Sequence, residues 1–254
     1  MSVTASSIRA QSFRCKWIIV DGGSTDGIMN FYDSNTDIIS GFISEKDSGI
    51  YNAWNKAIKL LDTDWVLFLG AGDVLYDEFS IERSVGLLNP SYFICYGNVQ
   101  MVDGNGQYRE FFGEINTLKW EQCRPQTPHH QGVFHNSSIF KSFVFDESYK
   151  IGGDSKLVLE AMKLCEPFYI NANVAMMRTG GVSYRLESLS VCLKENRRIV
   201  RELGLDRSHY KSSFLGDLKL YLKVILFKII GGNLLLIIDF YRAITGRQRS
   251  SYER

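Results

Sequence analysis

A short apolar segment that runs into a loop of small and acidic residues occurs twice, and this pattern restricts the fold. KWIIVD at 16–21 leads into GGSTDG, and DWVLFLG at 64–70 leads into AGD. Short apolar runs rich in Val, Ile and Leu are typical of buried strands. A further strand is predicted at 37–44, and apolar residues at helical spacing predict a helix over 48–61. Strands alternating with helices predict an α/β fold with a mostly parallel, Rossmann-like sheet flanked by helices.

The same periodicities predict the later elements, namely a helix near 79–88, a strand near 92–99, a helix at 153–164, a strand near 168–175 and a helix over 186–203. Residues 103–135 are rich in polar and aromatic side chains and predict a long functional loop region. We expect three parts, at 1–102, 103–206 and 207–254, of which the last is a helical tail.

Charge is distributed unevenly along the chain. The formal net charge of +1 argues against a dedicated nucleic-acid-binding protein. Residues 1–206 carry 20 basic and 25 acidic side chains, whereas 207–254 carry 9 basic and 3 acidic ones. The tail includes the apolar segments LKLYLKVILFKII and LLLIIDFYRAI, which predict two amphipathic helices with a basic face. Such helices favour attachment to a membrane surface, and the alternative is a helical hairpin packed on the protein.

The N-terminal segment is too polar for a signal peptide, and no uncharged apolar stretch reaches 18 residues. The five scattered cysteines form no CxxC pair and predict reduced thiols. We therefore expect a cytoplasmic protein that is peripheral at the inner face of the cell membrane.

The loop at 21–27 (DGGSTDG) has the composition of a ligand-binding turn. Glycines let a backbone approach a ligand closely, and Asp21 at a strand end is suited to accept hydrogen bonds from a base or ribose. An EF-hand is excluded because Gly23 occupies the third ligand position, and a P-loop because no Gly-Lys-Ser/Thr follows. The alternative is a plain turn with a helix N-cap at Ser24 or Thr25.

The second loop ends in Asp73. Mg²⁺ is typically held by one or two protein carboxylates together with phosphate oxygens and water, so one aspartate suffices chemically. The alternative is a helix N-cap. Asp154 directly precedes a predicted helix. It is either a carboxylate that faces a cleft or the N-cap of that helix.

Six segments occur in a specific order: DGGSTDG, EKDSGIYNAWNKAI, FLGAGD, TPHHQGVF, FDESYKIGGDSKLVLEAM and TGGVS. In this order they resemble the family 2 glycosyltransferases, which are inverting enzymes with the GT-A fold, and in particular the bacterial surface-polysaccharide branch. The resemblance covers about residues 5–185. An ordered set of motifs is far more specific than any one of them.

The resemblance makes 1–102 the nucleotide-sugar-binding half and 103–206 the acceptor-binding and catalytic half, and it implies roles for individual residues. Asp21 would contact the nucleotide base, with Gly23 and Ser24 in the same loop. The diphosphate and sugar pocket would be formed by Asp47 and Asn55, with Lys56 nearby. Asp73 would bind Mg²⁺ or Mn²⁺, Asp154 would be the catalytic base, and His130 and Gln131 would line the acceptor side.

The implied reaction moves a sugar, with inversion, from a nucleotide-sugar donor, expected to be a UDP-sugar, to a lipid-linked glycan. Three features depart from the family pattern. Gly72 stands where many members have a second aspartate, and Trp54 replaces a frequent arginine. The family's first strand is expected before SVTASSIRAQSF, which corresponds to the helix that follows it, so we expect either a start site that was assigned too late or a truncated product.

The missing strand keeps open the alternative of an inactive relative that binds nucleotide-sugar or partner proteins. A sugar-nucleotidyl transferase is a third interpretation, but the basic, glycine-rich triphosphate loop that it requires is absent.

Overall fold

The computed structural model describes residues 1–103, 106–116, 120–121, 124–181 and 188–205, together with Leu222 and Ile225. The helices are α1 Ser2–Arg9, α2 Ile28–Asp33, α3 Ile50–Ile58, α4 Ser80–Val85, α5 Gly153–Met162 and α6 Leu189–Glu202. The strands are β1 Trp17–Asp21, β2 Ile39–Ser44, β3 Trp65–Leu67, β4 Val74–Leu75, β5 Ile94–Val102, β6 Tyr108–Phe112, β7 Trp120–Glu121, β8 Arg124–Pro125, β9 Val133–Asn136 and β10 Phe168–Arg178. The α/β class is confirmed, with each predicted helix and strand of the described chain present.

The main sheet has six strands. Its order is β3-β9-β5-β10-β4, and β6 pairs with the second half of β5. Strand β5 is the centre of this sheet, and each of its residues from Ile94 to Val99 is buried. The first half of β5 pairs with β9 and the second half with β6, so one long strand supports two neighbours on the same side.

The expectation of a mostly parallel sheet is wrong for these six strands. Strands β5 and β10 pair in parallel, whereas the β3–β9, β5–β9, β5–β6 and β4–β10 pairs are antiparallel. The reason lies in the region 103–135, which was expected to be loop. It contains β6, which returns directly from β5, and short connections favour antiparallel neighbours.

One face of the sheet carries the core around β10. Alternate residues Ile170, Ala172 and Val174 pack with Leu75 and Ile81, so that α4 covers this face. Ile8 of α1 and the partly buried Trp65 and Leu67 of β3 pack against the same cluster. Burial of this continuous apolar surface holds α1 and α4 on the sheet.

Strands β1 and β2 form a separate parallel pair. Within the described residues, β1 pairs with no strand except β2, and β3 pairs with no strand except β9.

The chain divides into two compact units, Met1–Ile115 with Thr127–Arg178, and Asn116–Gln126 with Thr179–Arg254. All the elements above except β7, β8 and α6 belong to the first unit. In the second unit α6 contacts β8 and carries an ion pair between Arg198 and Glu202. The expected functional division at 1–102, 103–206 and 207–254 stays a prediction.

The predicted tail helices at 207–254 lie outside the described residues, except for the exposed Leu222 and Ile225. Of the helices in the described part of the chain, none is long and apolar enough to cross a membrane.

Candidate active site

Asp21 closes the loop that follows β1. Its Oδ2 atom accepts hydrogen bonds from the main-chain nitrogens of Gly23 (3.0 Å) and Ser24 (2.9 Å) and from the Ser44 hydroxyl of β2 (2.7 Å). Burial raises the pKa of Asp21, but the hydrogen bonds from Ser24, Ser44 and Gly23 outweigh it, and the net pKa is lowered. One carboxylate oxygen therefore shapes the turn, and the side chain stays charged at neutral pH.

The loop after β2 lies against the loop after β1. A methyl group on Gly22 would come within 2.7 Å of Asp47 Oδ2, so the absence of a side chain there is what allows this approach. Gly23 has φ of +83°, a conformation that favours glycine, and its Cα faces the main chain of Lys46. The structure thus brings Asp21, Gly23 and Asp47 into one loop pair at the carboxyl ends of β1 and β2. We call these residues, with Gly22 and Ser24, the donor loops.

Lys56 of α3 points back to the second of these loops. Its Nζ atom lies 2.8 Å from Glu45 Oε1 and donates to the Lys46 carbonyl at 3.2 Å. The ion pair with Lys56 lowers the pKa of Glu45. Lys56 therefore lies beside the donor loops as the partner of Glu45, and its expected place near the diphosphate and sugar pocket stays a prediction.

Asn55 takes part in a different set of contacts. Its amide donates to the Phe145 carbonyl (2.8 Å) and to Glu147 Oε1 (2.9 Å), and its Oδ1 accepts from the Phe145 nitrogen (3.0 Å). Asn52, one turn earlier, also donates to Glu147. These bonds fasten α3 to the segment before α5. The expected contact of Asn55 with a donor stays a prediction, and the structure gives its side chain a positioning role.

Asp73 lies in the turn after β3 and is half-buried. Its Oδ2 accepts from the Gly70 nitrogen (3.1 Å) and from the Gln131 side chain (3.3 Å). Burial raises the pKa of Asp73 and outweighs these two hydrogen bonds, which lower it. A carboxylate that is partly stripped of water in this way gains stability from a nearby cation.

The Gln131 side chain contacts His129 as well as Asp73, because it also hydrogen-bonds this histidine. Burial lowers the pKa of His129 to about 4, against an opposing effect of the Asp154 charge. His129 is therefore neutral at pH 7. His129 therefore hydrogen-bonds Gln131 and is close enough to Asp154 for the charge of that carboxylate to affect its pKa.

Asp154 lies in the first turn of α5. Its Oδ1 accepts from the Ser155 nitrogen at 2.7 Å and lies 3.4 Å from the Tyr51 hydroxyl of α3. The same hydroxyl donates to the Ile151 carbonyl. Gly153 packs on the Tyr51 ring, where an added methyl group would approach to 2.8 Å. The α3–α5 contact thus holds a half-buried carboxylate in a fixed position.

His130 is buried, although its side chain was expected on the acceptor side. Its ring stacks on Trp54 with centroids 4.7 Å apart and lies 5.2 Å from His135. Phe68 and Phe145 complete this aromatic cluster. Burial, assisted by His129, lowers the pKa of His130 to about 3. His130 packs in the core as a neutral aromatic ring, and its expected acceptor contact stays a prediction.

The residues of this region fit a divalent cation only in part. The described residues contain no cluster of three or more His, Cys, Asp or Glu side chains with metal-ligand geometry. A single carboxylate is nevertheless sufficient for Mg²⁺ when phosphate oxygens complete its shell. Asp73 meets that condition, since its Oδ1 has no protein hydrogen bond within the described chain.

Two positioning residues escaped the sequence analysis. Tyr51 and Glu147 join α3 to the approach to α5, and both contacts connect residues about 95 or more positions apart. Both lie in motif segments, but periodicity reports local structure only, so their contacts across the chain could not be predicted. His129 was recognisable as a candidate in TPHHQG, but the sequence could not distinguish its environment from that of His130.

Comparison with known proteins bears directly on this arrangement. Residues 3–144 match the family model for Glycosyl transferase family 2. An uncharacterized glycosyltransferase of Mycobacterium tuberculosis is 27% identical over 197 residues, covering 74% of this chain and 73% of that protein. A PGL/p-HBAD biosynthesis glycosyltransferase of Mycobacterium bovis is 31% identical over 131 residues, 48% of each chain.

Among solved structures, S. aureus TarS (residues 1–349) in complex with UDP-GlcNAc aligns over 95% of this chain and 73% of its own. The TM-score is 0.60 at 15% sequence identity. TarS in complex with UDP aligns over 82% of this chain with a TM-score of 0.55. The fold is therefore of the GT-A glycosyltransferase type, as the motifs predict.

The family match covers more than half of the chain and includes the donor loops and the Asp73 turn. The ordered motifs, the fold and the named relatives agree, and the chain belongs to glycosyl transferase family 2.

Proposed function

We propose that this protein is an inverting glycosyltransferase that moves a sugar from a nucleotide-sugar, in the first instance a UDP-sugar, to the hydroxyl group of a lipid-linked glycan. Asp154 removes the proton of the attacking hydroxyl. Asp73 holds Mg²⁺ or Mn²⁺ against the diphosphate. The donor loops bind the nucleotide.

One observation carries this proposal. Asp73, the candidate metal ligand, is hydrogen-bonded by Gln131, whose side chain also hydrogen-bonds His129, and the charge of Asp154, the candidate base, acts on the same histidine. An inverting transfer needs these two functions together, a base on the attacking side and positive charge on the leaving side. When bound, the cation would stabilise the charge that develops on the departing nucleoside diphosphate.

The protein's own residues would perform the remaining steps. Tyr51 and the Ser155 nitrogen orient the Asp154 carboxylate, which needs to lie within hydrogen-bond reach of the acceptor hydroxyl. The nucleotide-sugar donor is supported by the TarS complexes with UDP and UDP-GlcNAc, which share the fold. Inversion follows from a mechanism with one base and no covalent intermediate.

The lipid-linked acceptor rests on two indirect arguments. The basic, apolar residues 207–254 suit a membrane surface. One relative is named for PGL/p-HBAD biosynthesis, and that name concerns the relative. The corresponding process is the assembly of a bacterial surface glycan, and its location is the cytoplasmic face of the membrane.

The direct test combines the full chain with Mn²⁺, a panel of UDP-hexoses and UDP-N-acetylhexosamines, and polyprenyl-linked glycans extracted from bacterial membranes. We expect UDP release that depends on both donor and acceptor, and a β-linked product from an α-linked donor. An α-linked product would contradict inversion. UDP binding without transfer to any acceptor would favour the inactive relative.

Membrane attachment has its own test. We expect the full chain to sediment with vesicles that contain anionic lipid and to remain in the supernatant with neutral vesicles. Replacing Lys219, Lys223 and Lys228 with Glu should abolish sedimentation, whereas replacing the exposed Lys16 and Lys59 should not. If the variant with three changed tail lysines sediments with the anionic vesicles as well as the Lys16 and Lys59 variant does, that result would contradict attachment through the tail.

A further inference from the structure

The first unit contains an open cavity of about 710 Å³ between α4 and the first half of β10. One wall is α4 with the turn before it, and the other is the sheet. The polar residues that line the cavity are Asp77, Glu82, Arg83, Asn98, Asn171 and Asn173. We call this cavity the amide cleft, after its three asparagines. Its lining residues belong neither to the donor loops nor to the Asp73–Asp154 set.

The amide cleft lies apart from the proposed reaction centre. Strand β4 pairs with the end of β10, with Val74 opposite Met176, so Asp73 lies level with the carboxyl end of β10. Asn173 comes before Met176 in the same strand, and three residues of strand span about 10 Å. A ligand in the cleft would therefore occupy a place separate from the donor and the metal.

A bulge in β10 forms the sheet wall of the cleft. Tyr169 pairs with Tyr96 and Asn173 with Asn98, so the step between the two pairs is longer in β10 than in β5. Within this step, Asn171 has φ of +43°, which no other non-glycine residue of the described chain shares in sign. Asparagine tolerates this conformation better than most residues do. Bulges redirect side chains out of the regular alternation of a strand, and Asn171 is exposed here at the cleft.

The three asparagine side chains are connected through Tyr169. Its hydroxyl lies 2.6 Å from Asn98 Oδ1 and 3.0 Å from Asn171 Oδ1, and the Asn98 amide donates to Asn173 Oδ1 at 3.0 Å. Asn98 is only 6% exposed, so it anchors this network in the protein. Within the described residues, the Nδ2 groups of Asn171 and Asn173 donate to no protein acceptor. Two positioned amides therefore remain for a ligand.

The α4 wall carries charges that are largely satisfied by the protein. Arg83 Nη2 lies 2.5 and 2.7 Å from the two carboxylate oxygens of Asp77, and Glu82 accepts from the Ser12 hydroxyl. The remaining N–H groups of Arg83 have no acceptor in the part of the chain that the structure describes. One positive and two negative side chains give this wall a net negative charge, which disfavours a phosphate, a nucleotide or another anion.

These groups fit an uncharged ligand that is rich in hydroxyl groups. An amide both donates and accepts hydrogen bonds, as a hydroxyl does, so the two match in pairs. Leu87, which is exposed, and Ala172 add apolar surface that the carbon atoms of a sugar ring can cover. The volume is that of an ordinary small-molecule site. An oligosaccharide combines hydroxyl groups, a carbon skeleton and the absence of charge.

We propose that the amide cleft binds an uncharged oligosaccharide, and that during turnover it holds a section of the glycan acceptor away from the reacting end. The role in turnover rests on the proposed function, whereas saccharide binding does not. Contacts remote from the reacting hydroxyl are equally strong before and in the transition state. They would therefore lower KM for long acceptors and leave kcat unchanged.

The binding test uses the full chain and a panel of uncharged tetrasaccharides of glucose, galactose, mannose and N-acetylglucosamine. The side-chain amide signals of Asn171 and Asn173 are followed by NMR. Asn171→Gly removes one amide and keeps the backbone, because glycine adopts a positive φ readily. Gly86→Phe places a ring in the cleft and leaves the three asparagines unchanged, since Gly86 lines the cleft and has only ordinary contacts. Asn30→Ala, which removes an exposed amide of α2, is the matched control.

We expect at least one tetrasaccharide to shift both amide signals to saturation, with a Kd of about 1 mM or tighter. Asn171→Gly should weaken this binding about fivefold, the effect of one neutral hydrogen bond. Gly86→Phe should abolish it, and Asn30→Ala should bind as the unmodified chain does.

Three results would overturn the proposal. The first is the absence of a saturable shift with every tetrasaccharide at about 20 mM. The second is unchanged binding in Gly86→Phe with an unchanged Tm. The third is a shift of these amides by UDP, inorganic phosphate or an uncharged tetrapeptide but by no saccharide, which would assign the cleft to an anion or a peptide.

Turnover with a glycan acceptor of four or more sugar units tests the second part. Asn171→Gly should raise KM for this acceptor about fivefold, with kcat and UDP affinity unchanged. Saccharide binding combined with an unchanged KM would overturn the role in acceptor binding. If the unmodified chain transfers sugar to no acceptor, the proposed function fails, whereas the amide signals still decide whether the cleft binds a saccharide.

Discussion

The donor loops and the Asp73–Asp154 set are held in place by different means. In the donor loops most hydrogen bonds of the carboxylates come from residues close in sequence, as in Asp21 with Gly23 and Ser24, to which Ser44 of β2 adds one more distant donor. Asp47 likewise accepts from the Gly49 nitrogen at 3.0 Å. Asp73 and Asp154, in contrast, depend on Gln131, His129 and Tyr51, which come from distant parts of the chain. The first region is built by local turns and the second by the tertiary fold.

This difference predicts different responses to substitution. A change in the donor loops should weaken nucleotide binding and leave the rest of the protein intact. A change around Asp154 should affect either chemistry or stability, according to whether the residue contacts substrate or packs in the aromatic cluster beneath it.

Replacing the proposed base tests the second region most strongly. Asp154→Asn keeps the size of the side chain but removes its basicity, and we expect transfer to fall about 10²–10⁴-fold. UDP binding should change less than about twofold, because the base does not contact the nucleotide. Turnover assays and calorimetry on the same preparation measure the two effects.

The matched control is Asp146→Asn. Asp146 pairs with Lys156 at 2.6 Å. Burial raises the pKa of Asp146, but hydrogen bonds from Lys156 and Ser148 outweigh this effect and lower the pKa to about 2. Its loss should lower the Tm and leave turnover per folded molecule nearly unchanged. If both variants lose transfer equally, Asp154 acts through stability and is not the base.

The buried histidines predict a loss of stability in mild acid. His130 has a pKa of about 3 in the folded protein and an ordinary value near 6.5 when unfolded, so acid protonates the unfolded chain first. The stability that it contributes is present above pH 6.5 and is lost as the pH falls towards 3. Between pH 7 and pH 5 this amounts to about 2 kcal/mol.

Urea unfolding at pH 7 and pH 5 measures this loss. His130→Phe retains an aromatic ring against Trp54 without a titrating group, and it should recover about 2 kcal/mol of the difference between the two pH values. Phe140→Leu, which changes the same cluster through the ring next to His135, should lower stability equally at both pH values. The same pH dependence in His130→Phe and the unmodified chain would show that His130 is not the titrating group.

The smallest effect on UDP binding is expected for a substitution at the point where the two donor loops approach each other closely. Gly22→Ala would place a methyl group within 2.7 Å of the Asp47 carboxylate and displace that side chain from its position against the first loop. We expect UDP affinity to fall about five- to tenfold, or about 1 kcal/mol, with little change in Tm. Gly86→Ala is the control, because its methyl group would meet only ordinary contacts. Unchanged UDP affinity in Gly22→Ala would remove these loops from the nucleotide site.

The contrast between the two regions also explains which features of the fold and the site could be predicted from the sequence. Buried strands and amphipathic helices have local periodicity, so β1, β3, α3 and α5 were predictable to within a few residues. The strands β6 and β9 were missed because polar and aromatic residues obscure their alternation, and with them the antiparallel pairing was missed. Asp21, Asp73 and Asp154 stood out by motif order. The burial of His130 and the contacts of Asn55 depend on partners that only the fold supplies.

The measurement that tests the account most directly is calorimetric titration with UDP, with and without Mn²⁺, of the unmodified chain and of Asp73→Asn. We expect Mn²⁺ to increase the UDP affinity of the unmodified chain about tenfold or more, and Asp73→Asn to lose this increase while keeping its metal-free affinity. Equal enhancement by Mn²⁺ in both proteins would contradict the assignment of Asp73. No effect of Mn²⁺ on either would contradict a metal-assisted donor site.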